Sequence, residues 1–355
     1  MSSPAAARSR TMWIAIILVA IVVVGTLAYF LYPRQAPPVA EYRMAVVLGG
    51  DETDAGWSSM AIAGADSIRE KYKWQVDISR NVPFPDQARV LTDYAQRGYT
   101  LVWAHGGQFV GDTIFGDTAV PRRFNSTFFA QIPGPGQVPP PPNTVSLGPD
   151  FQVTGFYLAG VLAGRMTQTN AVAVVIGQWF EYLSMEFYAF EAGVESVNAN
   201  AKVYARVAGT WGDPSLGFQI AKTLIETKNV DILVHVADAT GRGVITAAEQ
   251  LGATVIGTVG DQAVLAPDAM MTSIMMDTPG FMESVVLSIM NGTFLQTMGG
   301  RVVSRDLGFL APFHRFENQI PQAVKDLLVS VEADIGDGTV AVPRTVTAEP
   351  PPDPP

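Results

Sequence analysis

Residues 171–180, AVAVVIGQWF, decide how the rest of the chain is read. The run from Ala171 to Ile176 is wholly apolar and mostly β-branched, and it stops at Gly177 before two aromatics. A strand buried on both faces has this unbroken character, whereas a strand with one wet face alternates. Working outward, a helical run at about 182–197 follows, then the strand Lys202–Val207 and the helix Ser215–Thr227. Strand Ile232–Val236, helix Gly243–Leu251 and strand Thr254–Gly257 continue the alternation, and a helix at about 151–165, FQVTGFYLAGVLAGR, precedes it. Repeated βα units with apolar strands predict a parallel sheet covered by helices on both faces.

The N-terminal part repeats the pattern. Strand Met44–Leu48 leads through Gly49-Gly50 to a helix at about Gly56–Lys71. Strand Gln75–Ile78, helix Asp86–Arg97 and strand Thr100–Ala104 come next. A Pro-rich stretch, QIPGPGQVPPPP at 131–142, interrupts the body and is expected to be a surface loop. Two runs of βα units predict an α/β protein of two doubly wound parallel-sheet lobes joined by a hinge. The expected boundaries are 43–145 (with about 278–303) for lobe one and 146–277 (with about 304–343) for lobe two.

The ends of the chain differ from this body. Residues 12–32, MWIAIILVAIVVVGTLAYFLY, carry no charge and no proline. At 1.5 Å rise per residue such a helix spans a hydrocarbon core about 30 Å thick. Trp13 and Tyr29/Tyr32 suit its two interfaces, and Arg8 and Arg10 put residues 1–11 in the cytoplasm. The expectation is a single-pass anchor in the plasma membrane with an extracytoplasmic body; a cleaved signal peptide is the competing reading. A Pro-rich spacer follows at 33–42, and the tail 344–355 is expected to be disordered.

Composition narrows the function. A net charge of −10 without any basic stripe excludes nucleic acid as a partner. The chain has no cysteine, which removes thiolate metal sites and cysteine nucleophiles. Its histidines, His105, His235 and His314, lack ligand spacing, so no metal and no cofactor is expected. There is no G-x-S-x-G elbow, no H-E-x-x-H, no Walker loop and no dinucleotide fingerprint. No enzyme is expected.

In open α/β sheets, ligands bind outside the carboxyl ends of the strands. Those ends carry GDETDAGW (Asp51, Asp54, Trp57), HGGQF (His105, Gln108, Phe109) and GQWFEY (Gln178, Trp179, Phe180). They continue with GTWGD (Trp211, Asp213), ADATGRG (Asp238, Arg242) and GTVGDQ (Asp261). Aromatic faces stack on ring ligands and carboxylates accept from hydroxyl and amino groups, which suits a neutral or cationic ring solute. The alternative for each residue is structural: a Trp there can be packing, and Asp54 and Asp213 stand where helix N-caps belong.

Several segments in order resemble the basic membrane protein family of substrate-binding proteins, which includes purine nucleoside receptors of ABC transporters. They are GDETDAGWSSMAIAGADSIREKY, TLVWAHGGQF, GFYLAGVLAGRMTQTNAVAVVIG, FEAGVESVNANAKV, GTWGDPSLGFQIAKTLIETKNVDIL, ADATGRG, VIGTVGDQ and the C-terminal DLGFLAPFHRFENQIPQAVKDLLVSVEADIGDGTVAVP. The resemblance covers roughly 43–343. It implies a type I periplasmic-binding-protein fold that closes on its ligand, with ABC permease and ATPase subunits as partners. It also implies that Trp57 and Phe109 sandwich a base with Trp179 or Trp211, and that Asp54, Asp238 and Asp261 hydrogen-bond the ligand. The family's D-D-K-S-F-N loop and lipid-attachment Cys are absent here, and Tyr188 stands where many members have Asn. The expected ligand is a purine nucleoside, a nucleobase or a similar small polar ring compound. A ligand sensor signalling through a membrane partner and a nucleoside hydrolase-like enzyme are the alternatives.

Overall fold

The computed structural model describes residues 42–355 apart from Val110 and Gln137. The expected anchor 12–32 and spacer residues 33–41 lie outside the described residues. Along the chain, β1 (Arg43–Leu48), α1 (Trp57–Tyr72), β2 (Gln75–Ser79), α2 (Gln87–Gln96), β3 (Leu101–His105), β4 (Phe128–Ile132) and β5 (Thr144–Leu147) come first. Then follow α3 (Val153–Met166), β6 (Ala171–Ile176), α4 (Glu181–Val197), β7 (Lys202–Val207), α5 (Pro214–Lys228), β8 (Ile232–Val236), α6 (Asp238–Leu251), β9 (Thr254–Val259) and β10 (Met270–Met276). The chain finishes with α7 (Thr278–Met290), α8 (Phe294–Thr297), β11 (Arg301–Val303), β12 (Gly308–Leu310) and α9 (Gln322–Gly336).

Two six-stranded sheets result, ordered β11-β5-β4-β3-β1-β2 and β12-β10-β9-β8-β6-β7. Every pairing is parallel except β10–β12. Central strands such as β6 and β8 are buried along their whole length, as their unbroken apolar sequences require. The sheets exchange chain at 148–152, at Asp277 and at 304–307. The crossings are tied to one another: Gly148 N donates to Val303 O (2.8 Å), Leu307 N to Phe151 O (2.6 Å) and Asp277 N to Leu307 O (3.1 Å). Side chains add to this, with Ser304 Oγ donating to Asp150 (2.7 Å) and Thr154 N to Asp306 (2.8 Å).

Several elements were not expected from the sequence. Strands β4 and β5 flank the Pro-rich stretch, whose first residues Gln131 and Ile132 belong to β4. They pair directly and in parallel, so the Pro-rich segment itself is the crossover and no helix marks the unit. Helix α6 begins at Asp238 rather than at Gly243.

The tail is a correction. Residues 344–355 are ordered against the body instead of disordered. Arg344 Nε donates to Asp150 (2.9 Å), the Trp179 indole donates to Thr347 O (2.9 Å), and Asp353 pairs with Arg206 (2.6 Å) and Lys228 (3.0 Å). Composition reports only that such a segment has little apolar area to bury. It does not report that lobe two offers specific partners, nor that proline lowers the entropy lost on ordering.

Helices α3 and α4 meet at glycines. The Cβ that Gly160 lacks would fall on the Phe190 carbonyl, and that of Gly193 on the Tyr157 carbonyl. Gly193→Ala is therefore expected to cost about 1–3 kcal/mol by overpacking, read as a lower urea midpoint. Gly212→Ala, whose Cβ meets nothing within 4 Å, is expected to leave the midpoint unchanged. Equal midpoints for Gly193→Ala and wild type would show that the helices are not packed this closely.

Candidate functional site

The carboxyl ends of both sheets face the space at the three crossings, and the strand-end residues gather there. On the lobe-one side, Asp54 is buried and its carboxylate accepts from the amides of Gly56 (3.0 Å), Ser58 (2.5 Å) and Ser59 (3.2 Å) and from the Ser59 hydroxyl (2.9 Å). This caps the start of α1, where amides lack helical partners. It also holds Trp57, the first residue of that helix, over the end of β3. Trp57 stacks on His105, with centroids 4.2 Å apart and planes at 22°.

His105 is fully buried and its protonation is set by two contacts. Its Nε2–H donates to the Trp57 carbonyl (2.9 Å), leaving Nδ1 to accept from the Trp103 indole (3.3 Å). Both contacts suit the neutral ring, and burial lowers the imidazole to about 4, against small opposing effects of the Trp57 carbonyl and Asp54. Gln108 is half-buried, its amide beside Gly49 and Gly106 at the ends of β1 and β3.

From Trp57 the aromatic rings continue into lobe two. Phe151, in the first crossing, lies 6.1 Å from Trp57 and 6.0 Å from Tyr182. Tyr182 stacks with Phe180 at 6.0 Å and 21°, and Phe180 with Trp211 at 6.5 Å and 18°. Trp211 in turn lies flat on the backbone of Gly177, where a Cβ would strike the indole ring. An unbroken run His105–Trp57–Phe151–Tyr182–Phe180–Trp211 thus spans the hinge from one lobe to the other.

Carboxyls flank this run without basic partners among the described residues. Asp238 opens α6 at φ 45°, a conformation L-residues rarely adopt and one that clusters at functional sites. Although the residue keeps some solvent contact, desolvation raises its carboxyl to about 7, with the charge of Asp54 adding to the shift. Glu186, one turn beyond Tyr182, is raised to about 8 by burial, against a hydrogen bond from Gln152 (2.8 Å) and with Asp306 adding. The Tyr182 phenol is held above its usual range by burial, then by Glu186 and Asp238.

The lobes touch across the site. Arg242 on α6 donates to Thr53 O (3.0 Å), and Gly56 and Gly260 lie close against Thr258 O and Ala55 O respectively. Val259, at φ 68°, packs from the end of β9 into the apolar cluster of lobe one that holds Trp103 and Phe281. A β-branched residue in that region is strained by about 1–3 kcal/mol.

Of the residues singled out from the sequence, Asp54, Trp57, Gln108, Trp211 and Asp238 come together here. Phe109, Trp179 and Asp261 do not join them. Phe109 is fully buried in the core cluster with Ala45, Val47 and Phe129. Trp179 gives its indole N–H to the tail and sets its edge against Phe187. Asp261 is exposed and pairs with His314 (2.7 Å), while its neighbour Gln262 turns inward to accept from His235 (2.9 Å) and Thr258 N (3.0 Å). Phe151, Gln152, Tyr182 and Glu186 were missed. Phe151 and Gln152 follow β5, a strand end that would have flagged them had the strand been recognised.

The raised Glu186 carboxyl makes a prediction with a defined sign. The native state holds a proton that the unfolded chain, near 4.5, has released, so stability is full below pH 4.5 and falls as pH rises through about 8. Above about pH 7.5 the unfolded chain's histidines, near 6.5, are mostly neutral, and so are His105 and His235 in the native state, so these two oppose the effect little there. Denaturant titrations should show stability falling over this range, with a shallower fall in Glu186→Gln. A slope identical in wild type and Glu186→Gln would contradict the burial of an uncompensated carboxyl.

Comparisons with known proteins fit this geometry. Residues 42–308 match the family model described as ABC transporter substrate-binding protein PnrA-like. Basic membrane protein A of Borreliella afzelii is 26% identical over 312 residues, covering 85% of this chain and 91% of that protein. A solute-binding protein of an ABC transporter system from Aeropyrum pernix superposes with a TM-score of 0.74 at 17% identity, over 86% of this chain and 94% of the other. One from Conexibacter woesei gives 0.70 at 20% identity, over 86% of this chain and 100% of that one. The fold is that of the two-lobed solute-binding proteins, and the chain belongs to the ABC transporter substrate-binding family of PnrA-like proteins.

Proposed function

We propose that the chain captures a small polar ring solute, a purine nucleoside or nucleobase, in the cleft between its lobes and passes it to an ABC permease driven by its ATPase. The observation that carries this reading is the aromatic run from Trp57 to Trp211, flanked by Asp238 and lacking a basic partner. Rings offer stacking faces to any planar solute, and uncompensated carboxyls favour amino and hydroxyl donors over phosphate. Trp57 and Trp211 would stack on the ring from opposite lobes, Asp238 would accept from it, and Gln108 would meet it from the β1–β3 side. A solute touching both lobes favours the closed arrangement in which Arg242 reaches Thr53. The uncharged segment 12–32 would anchor the body at the membrane and keep it near its permease.

Calorimetry of the purified protein with guanosine, inosine, adenosine and their free bases tests the reading. At least one is expected to bind at micromolar affinity or better, and Trp57→Ala should weaken that binding by about 1–3 kcal/mol, the range for aromatic–base stacking. No binding by any purine compound would overturn the ligand class. Unchanged affinity in a less stable Trp57→Ala would make Trp57 a packing residue.

A further inference from the structure

Glu186 and Gln152 are 1% and 2% exposed, and they share one hydrogen bond, from Gln152 Nε2 to Glu186 Oε1 (2.8 Å). Glu186 Oε2 and Gln152 Oε1, the side-chain oxygens left over, are buried with no hydrogen-bond partner among the described residues. Leaving a buried acceptor unpaired is costly, and more so when it is charged. Two such atoms on one interacting pair, with no arginine or lysine to compensate them, need an explanation. Their position supplies one. Gln152 adjoins Phe151 in the first crossing, and Glu186 lies one turn from Tyr182 on α4, so the pair sits beneath the middle of the aromatic run.

Tyr182 connects the pair to the cleft. Its ring stacks with Phe180, and both Glu186 and Asp238 act on its phenol. Across the lobe boundary the same ring lies beside Gly107, close to where a Cβ of that residue would be. The Tyr182 hydroxyl therefore looks toward lobe one. A solute seated on the rings would present its edge to these groups.

We propose that Glu186 and Gln152, together with Tyr182, form a recognition point for an amino group on the bound ring solute. The free oxygens accept its N–H donors, and ligands that carry an amino group are selected over otherwise identical ones that lack it. The proposal rests on the cleft being the solute site, and it is independent of the ring being a purine.

Matched pairs separate the two claims: guanosine against inosine, and glucosamine against glucose, titrated into wild type, Glu186→Leu and Glu186→Gln. In wild type the amino member of a pair should bind about two- to tenfold more tightly, as one added hydrogen bond to a neutral acceptor allows. In Glu186→Leu the ratio should fall to about one with the amino-free member nearly unaffected. Glu186→Gln keeps the shape, replaces one acceptor by a donor and should show the same collapse if the leucine variant does not fold. A Glu186-dependent preference for glucosamine with no nucleoside binding would uphold the recognition point and overturn the purine reading. Nucleoside binding with a ratio insensitive to Glu186 would do the reverse. Equal loss for both members of a pair, or binding by none of the four compounds, would overturn the proposal.

Discussion

The constraint on which the rest depends is that the two parallel sheets exchange chain three times, always just beyond strand carboxyl ends. With Gly148, Phe151, Asp277, Val303 and Leu307 bonded to one another, the crossings form a common strap. The strap forces the carboxyl ends of both sheets to face each other. Residues placed just after a strand can then meet the opposite lobe, whatever their position in the chain. Trp57 and Trp211, 154 residues apart in sequence, belong to one aromatic run for this reason.

Within that frame the two sides are held differently. On the lobe-one side the polar groups are paired: Asp54 caps α1, and His105 is held neutral between Trp57 and Trp103. On the lobe-two side costs remain uncompensated: Asp238 and Val259 at positive φ, Glu186 and Gln152 with unpaired oxygens. Strain and unsatisfied polar atoms persist only where the surroundings over-determine them, and they concentrate where ligands act.

How much of this was legible depended on whether a residue's role is local. Continuous apolar runs revealed β1, β3, β6 and β8, and with β1 and β8 the loops bearing Trp57 and Asp238, while Trp211 follows β7. Strands β4 and β5 escaped because FFAQI and TVSL are short and border prolines, and β10 because MMTSIMM reads as neither alternating nor wholly apolar. Without β5 there was no strand end to point to Phe151 and Gln152. Glu186 escaped for another reason: a glutamate on a helix is ordinarily a solvated position, and only the docking of α4 beside the crossings turns it inward. Phe109, Trp179 and Asp261 show the converse, since sequence places them at strand ends but core packing, the tail and His314 take them.

The central claim is that a ring solute lies between the lobes on the aromatic run. A crystal structure of the protein with the small molecule that co-purifies with it, identified by mass spectrometry, tests this most directly. The account predicts a ring stacked between Trp57 and Trp211, with its donors turned to Asp238. A solute bound outside the cleft, or lobes closed on each other with the solute excluded, would contradict it.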